Sequence, residues 1–285
     1  MQIALPDPPA TSLRPLVFEV DVTTSAEAAA EVVLLLHGFP QTSHCWRLLV
    51  PQLSSYRVVR FDQRGYSPGA RPLDVEDYRL PRMVEDALGV LDALGVERAH
   101  VVGHDFGAAV AWQLGARHPE RVLSLTVLSV PHPRAMIEAL RGDPDQRSRS
   151  QYMRTFAQLG YDEELLADDA ALLRQFFTSA VDVEAVVAAA SEPGALAAWL
   201  KWYPGQRLED LGDTPAVPVS TLHVWSDGDQ AMGSAPTRAT REWVTGPYQL
   251  EVLEGVSHWI PEEAADRVGP LLLEHLSRAK PGTPR

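Results

Sequence analysis

Hydrophobic residues along the chain follow two patterns that alternate with one another. Short apolar runs are typical of strands, whereas apolar residues spaced three and four apart are typical of helices. The runs predict strands at residues 16–22, 32–36, 56–61, 99–102, 122–130, 219–225 and 248–253. The spacing predicts helices at residues 43–53, 80–94, 107–118, 235–244 and 262–279. Strands that alternate with helices form a mostly parallel sheet covered on both faces, so we expect an α/β fold.

The alternation stops after residue 133 and resumes near residue 219. The stretch between them lacks the strand pattern and has helical spacing at residues 152–166, 170–177, 183–190 and 195–202. We therefore predict a helical cap, residues 134–213, inserted between two parts of one α/β core, residues 1–133 and 214–285. Residues 1–14 are rich in proline, and we expect no regular element there.

One sharp turn carries the first candidate for chemistry. Gly103-His104-Asp105-Phe106-Gly107 follows an apolar run and precedes an alanine-rich helical pattern. A strand that turns into a helix between two glycines holds the middle residue at an exposed, strained tip. That residue is Asp105, and a carboxylate nucleophile forms an ester with a carbon electrophile. It suits the opening of an epoxide or the displacement of a halide. The simpler alternative is a tight turn with Asp105 as a helix N-cap.

Two residues farther along the chain complete a catalytic set. Asp229 follows one predicted strand, and His258 follows the last one. The carboxyl ends of parallel strands meet at one edge of a sheet, so we expect both side chains near Asp105. His258 would take a proton from water, and Asp229 would hold the histidine tautomer. Asp227 is the competing acid; we prefer Asp229 because it lies farther beyond the strand end.

The segment His37-Gly38-Phe39-Pro40 follows another predicted strand. Hydrolysis of an aspartyl ester passes through an oxyanion, which two backbone N–H groups must stabilise. The N–H groups of Phe39 and Phe106 are the candidates for this oxyanion hole. We expect His37 to orient the loop rather than to react.

The composition of the chain limits the classes of partner that we expect. The chain has 285 residues, 25 of them basic and 38 acidic, for a net charge of −13. An acidic protein is a poor ligand for nucleic acid or an anionic membrane, so we expect neither as a partner. A single cysteine, Cys45, excludes an internal disulfide. No basic leader or membrane-length apolar run is present, and we expect a soluble cytoplasmic protein. A homodimer stays open, because nothing in the sequence sets the oligomeric state.

Taken together, these segments resemble the α/β-hydrolase fold epoxide hydrolases from about Leu16 to the last helix. The matching segments are His37-Gly38-Phe39-Pro40, Asp62-Gln63-Arg64-Gly65-Tyr66, Gly103-His104-Asp105-Phe106-Gly107, Ser129-Val130-Pro131-His132-Pro133 and Gly255-Val256-Ser257-His258-Trp259. The resemblance implies an α/β-hydrolase fold and a two-step hydrolysis without metal or organic cofactor. Asp105 would attack the epoxide, and water activated by His258 would hydrolyse the ester. The partners would be a small hydrophobic epoxide and water.

The resemblance also implies roles outside the triad. Tyr152 and Tyr203 match two cap tyrosines that hydrogen-bond the epoxide oxygen. The matching segments place His37, Gly38, Pro40, His104 and Trp259 in the substrate pocket or its supporting loops. Two departures from the family pattern stand out: Phe106 replaces the frequent tryptophan, and Pro204 follows Tyr203 where arginine is frequent.

Three other functions compete with epoxide hydrolysis. Haloalkane dehalogenases are similar, but they bind the halide with N–H donors where this chain has Phe39 and Phe106. Fluoroacetate dehalogenases carry arginines after the nucleophile, where this chain has Phe106 and Ala109. The third is a non-catalytic receptor for a small ligand on the same scaffold, against which the complete set of Asp105, Asp229 and His258 argues.

Overall fold

A sheet of eight strands runs through the protein. The structure is a computed structural model that describes residues 1–6, 15–25, 30–158 and 160–279. The strands are β1 (Gln2–Leu5), β2 (Leu16–Thr23), β3 (Val32–Leu36), β4 (Arg57–Phe61), β5 (Ala99–His104), β6 (Val122–Leu128), β7 (Thr221–Ser226) and β8 (Tyr248–Leu253). Their order is β1-β2-β4-β3-β5-β6-β7-β8. β2 is antiparallel to both neighbours, and the other pairs are parallel, which confirms the predicted α/β fold.

Helices connect the strands and fill the interval between β6 and β7. In the core they are α1 (Leu80–Ala93), α2 (Phe106–Arg117), α11 (Ser234–Ala239), α12 (Ile260–Glu263) and α13 (Ala265–Arg278). Between β6 and β7 lie α3 (Pro133–Gly142), α4 (Pro144–Arg149), α5 (Tyr152–Phe156), α6 (Tyr161–Arg174), α7 (Val183–Ala190), α8 (Ala195–Leu200), α9 (Trp202–Gly205) and α10 (Leu208–Gly212). Short 3₁₀ helices lie at Ser43–Leu48, Val50–Leu53, Val75–Tyr78, Pro119–Arg121 and Thr240–Trp243. We refer to α3–α10 as the cap.

The apolar runs form buried strands because alternate side chains enter different cores. In β3, Leu34 and Leu36 join a cluster with residues of α1 and α2. Val33 and Leu35 of the same strand join a second cluster that contains Trp46 and residues of α13. A strand buried on both faces has no polar position, which explains the five consecutive apolar residues of β3.

Some sequence predictions were wrong. Gln2–Leu5 is a strand rather than an irregular segment, because Ile3 and Leu5 alternate into the core as β1 pairs with β2. The rest of that predicted segment, residues 7–14, lies outside the described part of the chain, as do residues 26–29, 159 and 280–285. The single helix predicted at 152–166 is two helices, because α5 ends at Phe156 and α6 begins after Gly160, whose φ is 82°. The helix predicted at 43–53 is a pair of 3₁₀ helices, the second with Pro51 in its first turn.

No single helix within the described ranges is long and apolar enough to span a bilayer. Among the described helices, one pair bent by 94°, Val183–Ala190 with Ala195–Gly205, is long and apolar enough when taken together, by length and composition alone.

The turn between β5 and α2 depends on close backbone packing. A Cβ atom on Gly107 would overlap the carbonyl oxygens of Leu36 and His37 at the end of β3. A Cβ atom on Gly103 would overlap the backbone of Gly107. These contacts bring the loop after β3 against the start of α2.

We expect Gly107→Ala to lower the free energy of unfolding by about 1–3 kcal/mol, because the added methyl group overpacks a backbone contact. Gly142→Ala is the matched control, since Gly142 is helical and a Cβ there meets nothing within 4 Å. It should be neutral or slightly stabilising. Urea denaturation of both variants measures the difference, and equal stabilities would contradict the packing argument.

Candidate active site

Asp105 lies at the tip of the turn between β5 and α2. Its φ of 51° and ψ of −122° fall outside the regions that non-glycine residues prefer. The side chain is buried, and a Cβ atom on Gly38 of the neighbouring loop would overlap it. The sequence Gly103-to-Gly107 therefore forms a strained turn that presents a carboxylate, and Asp105 makes no side-chain N-cap bond to α2.

Three side chains from separate strand ends meet at this turn. His258 Nε2 lies 3.3 Å from Asp105 Oδ2, and His258 Nδ1 lies 2.8 Å from Asp229 Oδ2. All three side chains are buried. The imidazole thus bridges the two carboxylates, in the arrangement that nucleophile, base and orienting acid require.

Asp229 and Asp227 have different surroundings although they are two residues apart. Asp229 Oδ1 accepts hydrogen bonds from the N–H groups of Ala231 (2.8 Å) and Met232 (2.9 Å), which leaves Oδ2 for His258. Asp227 is exposed and accepts from the N–H of Gly255 at 2.8 Å. Only Asp229 of this pair touches the imidazole, because the chain turns inward after β7.

The two oxygens of Asp105 have different partners. Oδ1 accepts a hydrogen bond from the N–H of Phe39 at 2.8 Å, and the nearby Phe106 N–H helps to lower the pKa of the carboxyl group. Oδ2 faces His258. The structure thus brings the two N–H groups expected from the sequence to one carboxyl group, where they could stabilise negative charge on an oxygen bound to its carbon.

Burial and charge shift the pKa values in this site. Burial alone would lower the pKa of His258, but Asp229 and the hydrogen bonds with Asp105 outweigh it and raise the pKa to about 10. Burial would raise the pKa of Asp105, yet its bond to His258 and the Phe106 N–H hold the pKa below the usual value. The resting site therefore contains an imidazolium between two carboxylates.

The loop that carries His258 is fixed by hydrogen bonds to its backbone. The carbonyl oxygen of His258 accepts from His104 Nε2 at 2.9 Å, from Ser129 Oγ at 3.0 Å and from the Ile260 N–H at 2.9 Å. Ser226 Oγ donates to the neighbouring carbonyl of Ser257 at 2.8 Å. Burial lowers the pKa of His104 to about 4, so its ring is neutral and donates through Nε2.

Sequence reasoning missed the two serines. Ser129 is buried and has a φ of 70°, which non-glycine residues seldom adopt. Ser129 begins one of the segments that resemble the family, but no role was assigned to it from the sequence. Ser226 is the last residue of β7, and the sequence pattern likewise gave no reason to assign it a role.

Both tyrosines indicated by the family resemblance lie at the site. Their ring centroids are 6.3 Å apart, and the Tyr203 ring lies 5.1 Å from the rings of Phe39 and Phe106. Burial, together with the nearby Asp105 carboxylate, raises both phenol pKa values, so both hydroxyl groups keep their protons. Pro204 does not disturb Tyr203, because it falls in the first turn of α9, where its missing N–H is not needed.

Two cavities meet at Asp105, Tyr152 and Tyr203. The larger, of about 490 Å³, is also lined by His258 and by aromatic residues of the cap. The smaller, of about 180 Å³, extends from the other side of the same three residues under α3 and α10. Phe156, Phe176 and Phe177 line the larger cavity, whereas Trp199 stacks on Tyr66 behind it.

The remaining predicted residues lie around this site. His37 Nε2 accepts a hydrogen bond from the Gln63 N–H at 3.0 Å, which fixes the loop carrying Phe39. Pro40 lines the larger cavity. Trp259 also lines it and donates from Nε1 to the Phe176 carbonyl of the cap at 2.7 Å. Within the described residues, no group of three or more His, Cys, Asp or Glu side chains is arranged to hold a metal ion.

Comparisons with known proteins identify the family of the chain. The chain matches the α/β hydrolase fold family over residues 31–265. It is 31% identical to epoxide hydrolase A of Mycobacterium tuberculosis, with 90% of this chain and 93% of that protein aligned. It is 30% identical to human epoxide hydrolase 4, with 87% and 73% aligned. The crystal structure of a Bacillus megaterium epoxide hydrolase in complex with an inhibitor superposes with a TM-score of 0.83 at 25% identity, covering 92% of this chain and 97% of the other.

We expect Asp229→Asn to lower the pKa of His258, because the Asp229 charge is the largest contribution that raises it. The ring of the unaltered protein should stay protonated above pH 7, and the variant should lose the proton at a lower pH. An NMR titration of the ring carbons measures both values. Asp227→Asn is the control and should leave the pKa in place; a fall only in that variant would assign the role to Asp227.

Proposed function

Because this chain belongs to the α/β-hydrolase fold family, and within it to the epoxide hydrolases, we propose that it hydrolyses an epoxide to a vicinal diol through an ester on Asp105. One observation carries the proposal. Asp105 occupies the nucleophile turn within hydrogen-bond distance of His258, and two protonated tyrosines line the same cavities. A carboxylate can attack an epoxide carbon, and phenol groups can donate hydrogen bonds to the oxygen that leaves that carbon.

In the first step, Asp105 Oδ2 attacks an epoxide carbon. Oδ1 is held by the Phe39 N–H of the oxyanion hole, so Oδ2, the oxygen that faces His258, is the one that attacks. The carbon–oxygen bond of the ring breaks as the ester bond forms. Tyr152 and Tyr203 donate hydrogen bonds to the alkoxide, which takes up one proton. Apolar walls around the tyrosines strengthen these bonds by excluding water.

In the second step, water attacks the ester carbonyl carbon of Asp105. Esterification removes the negative charge and the acceptor that Asp105 offers to His258, so the pKa of His258 falls and the ring becomes a base. His258 takes a proton from water, Asp229 stabilises the imidazolium, and the N–H groups of Phe39 and Phe106 hold the oxyanion. Collapse releases the diol and restores the imidazolium. The proton that His258 loses after esterification balances the one that the alkoxide takes up. In the second step one proton of the attacking water stays on His258, and the other passes to the leaving oxygen of the diol, so the cycle consumes only the epoxide and water.

The cavity walls favour a hydrophobic epoxide. Phe39, Phe156, Phe176, Phe177 and Trp259 surround the larger cavity, which leaves space for an aryl or alkyl substituent. Halide displacement fits less well, because the rings of Phe39 and Phe106 carry no N–H donor for a halide. A panel of epoxides scored for diol, with 1-haloalkanes run in parallel, tests the proposal directly.

We expect His258→Gln to accumulate the covalent ester, because the first step needs Asp105 and the tyrosines while the second needs the base. Mass spectrometry after mixing with an epoxide should find the substrate's mass on the peptide that contains Asp105. The Asp105→Asn, His258→Gln double variant is the control and should gain no mass. Diol release from His258→Gln with an unmodified peptide would exclude the covalent mechanism.

The tyrosines should act only on ring opening. Tyr152→Phe or Tyr203→Phe should slow diol formation by about 10²–10³, the usual cost of one transition-state donor. In the His258→Gln background, the double tyrosine variant should trap little ester in a rapid-quench experiment. Trapping at the rate of His258→Gln alone would limit the tyrosines to packing, and a halide would become the better leaving group.

A further inference from the structure

The acid loop, residues 229–233 between β7 and α11, is bound to a helix of the cap. Gln146 of α4 is fully buried and makes two hydrogen bonds to the backbone of this loop. Its Nε2 donates to the Ala231 carbonyl at 2.9 Å, and its Oε1 accepts from the Gly233 N–H at 2.8 Å. Nε2 also donates to Ser150 Oγ at 3.0 Å. Because a backbone N–H only donates and a carbonyl only accepts, this amide has a single orientation.

A second side chain of α4 reaches the same loop. Arg149 Nη1 donates to the Asp229 carbonyl at 2.6 Å, and Arg149 Nε donates to Asp145 Oδ2 at 2.8 Å. A Cβ atom on Gly233 would lie 3.0 Å from Asp145 Oδ2 and 3.2 Å from Gln146 Oε1. The acid loop therefore packs directly on α4.

The bonds from α4 decide where the Asp229 carboxylate lies. Asp229 Oδ1 accepts from the N–H groups of Ala231 and Met232. The Met232 N–H belongs to the same peptide group as the Ala231 carbonyl, which Gln146 binds from its other side. Gln146 thus fixes a donor that in turn fixes Oδ1. The other oxygen, Oδ2, is left facing His258 Nδ1 at 2.8 Å.

We propose that Gln146 and Arg149 are positioning residues for the hydrolysis of the ester, because they hold the loop that presents Asp229 to the imidazole. This inference rests on the proposed epoxide hydrolysis. In its second step, Asp229 stabilises the imidazolium that forms as His258 takes a proton from water. Ring opening uses Asp105 and the tyrosines instead. Loss of the α4 bonds therefore slows the decay of the ester and leaves its formation unchanged.

Single-turnover experiments separate the two steps. Protein in excess is mixed with styrene oxide, or with the best aryl epoxide of the panel, and is quenched in acid at successive times. Mass spectrometry of the Asp105 peptide then gives the rates at which the ester forms and decays. We expect Gln146→Met to slow the decay about tenfold, since hydrogen bonds that order the loop are lost. Arg149→Met, at a partly exposed site where folding tolerates change, should slow the same step.

Gln113→Met is the matched control for the loss of a buried glutamine. Gln113 is buried and also makes three hydrogen bonds, with Asp210, Thr214 and Arg117, all of them away from the acid loop. The change should lower the free energy of unfolding much as Gln146→Met does. The ester should nevertheless decay at the rate of the unaltered protein.

A second comparison asks whether the effect passes through Asp229. In the Asp229→Asn background, Gln146→Met should add little to the slowing of decay, because residues that act as a unit are not additive. The full tenfold loss in that background, or equal slowing of both steps, would limit Gln146 to packing and overturn its role. Unchanged decay in either folded variant would overturn the role of that residue. No ester, and no diol from any epoxide of the panel, would instead contradict the proposed hydrolysis.

Discussion

The site depends on holding two negative charges away from bulk water. Asp105 and Asp229 are both buried, and a buried carboxylate without compensation costs several kcal/mol. One imidazolium and backbone N–H groups supply that compensation; the groups belong to Phe39, Phe106, Ala231 and Met232. All of these come from loops at the carboxyl ends of strands, so the parallel sheet is what brings the compensating groups together. The strained turn, the close glycines and the fixed His258 loop all serve this arrangement.

The cap brings the tyrosines to that charge pair, and polar contacts hold it in place. Trp202 Nε1 donates to the Arg64 carbonyl of the core at 2.7 Å, next to Tyr203 in the chain. On the opposite side, Thr178 contacts Glu263, whose other oxygen accepts from the Ser257 N–H beside His258. In the proposed cycle the core supplies the nucleophile and the base, and the cap supplies the donors for the leaving oxygen. The donors for the first step thus come from a different part of the chain than the base for the second.

The sequence allowed Asp105, His258 and the Phe39 loop to be found because their roles depend on local backbone chemistry. A strained turn demands glycine on both sides, and a loop beside it needs Gly38, so the pattern is visible in a few letters. Ser129 was given no role because its partner, the carbonyl oxygen of His258, is far away in the chain. The helix at 183–190 was predicted with its observed bounds, but the one at 152–166 was not. Apolar spacing continued past Phe156, where α5 ends, and past Gly160, whose positive φ precedes α6.

The different surroundings of the two Asp105 oxygens determine which of them is exchanged for an oxygen atom from water during turnover. Oδ1 rests on the Phe39 N–H, whereas Oδ2 leaves with the diol in every proposed cycle and is replaced from water. If the carboxyl group does not rotate between cycles, Oδ1 is the oxygen incorporated when the protein was synthesised, and it stays in Asp105 as long as the protein exists. The other is renewed at each turnover. The first diol that a new enzyme molecule releases therefore contains an oxygen from its own polypeptide, and every later one contains an oxygen from solvent.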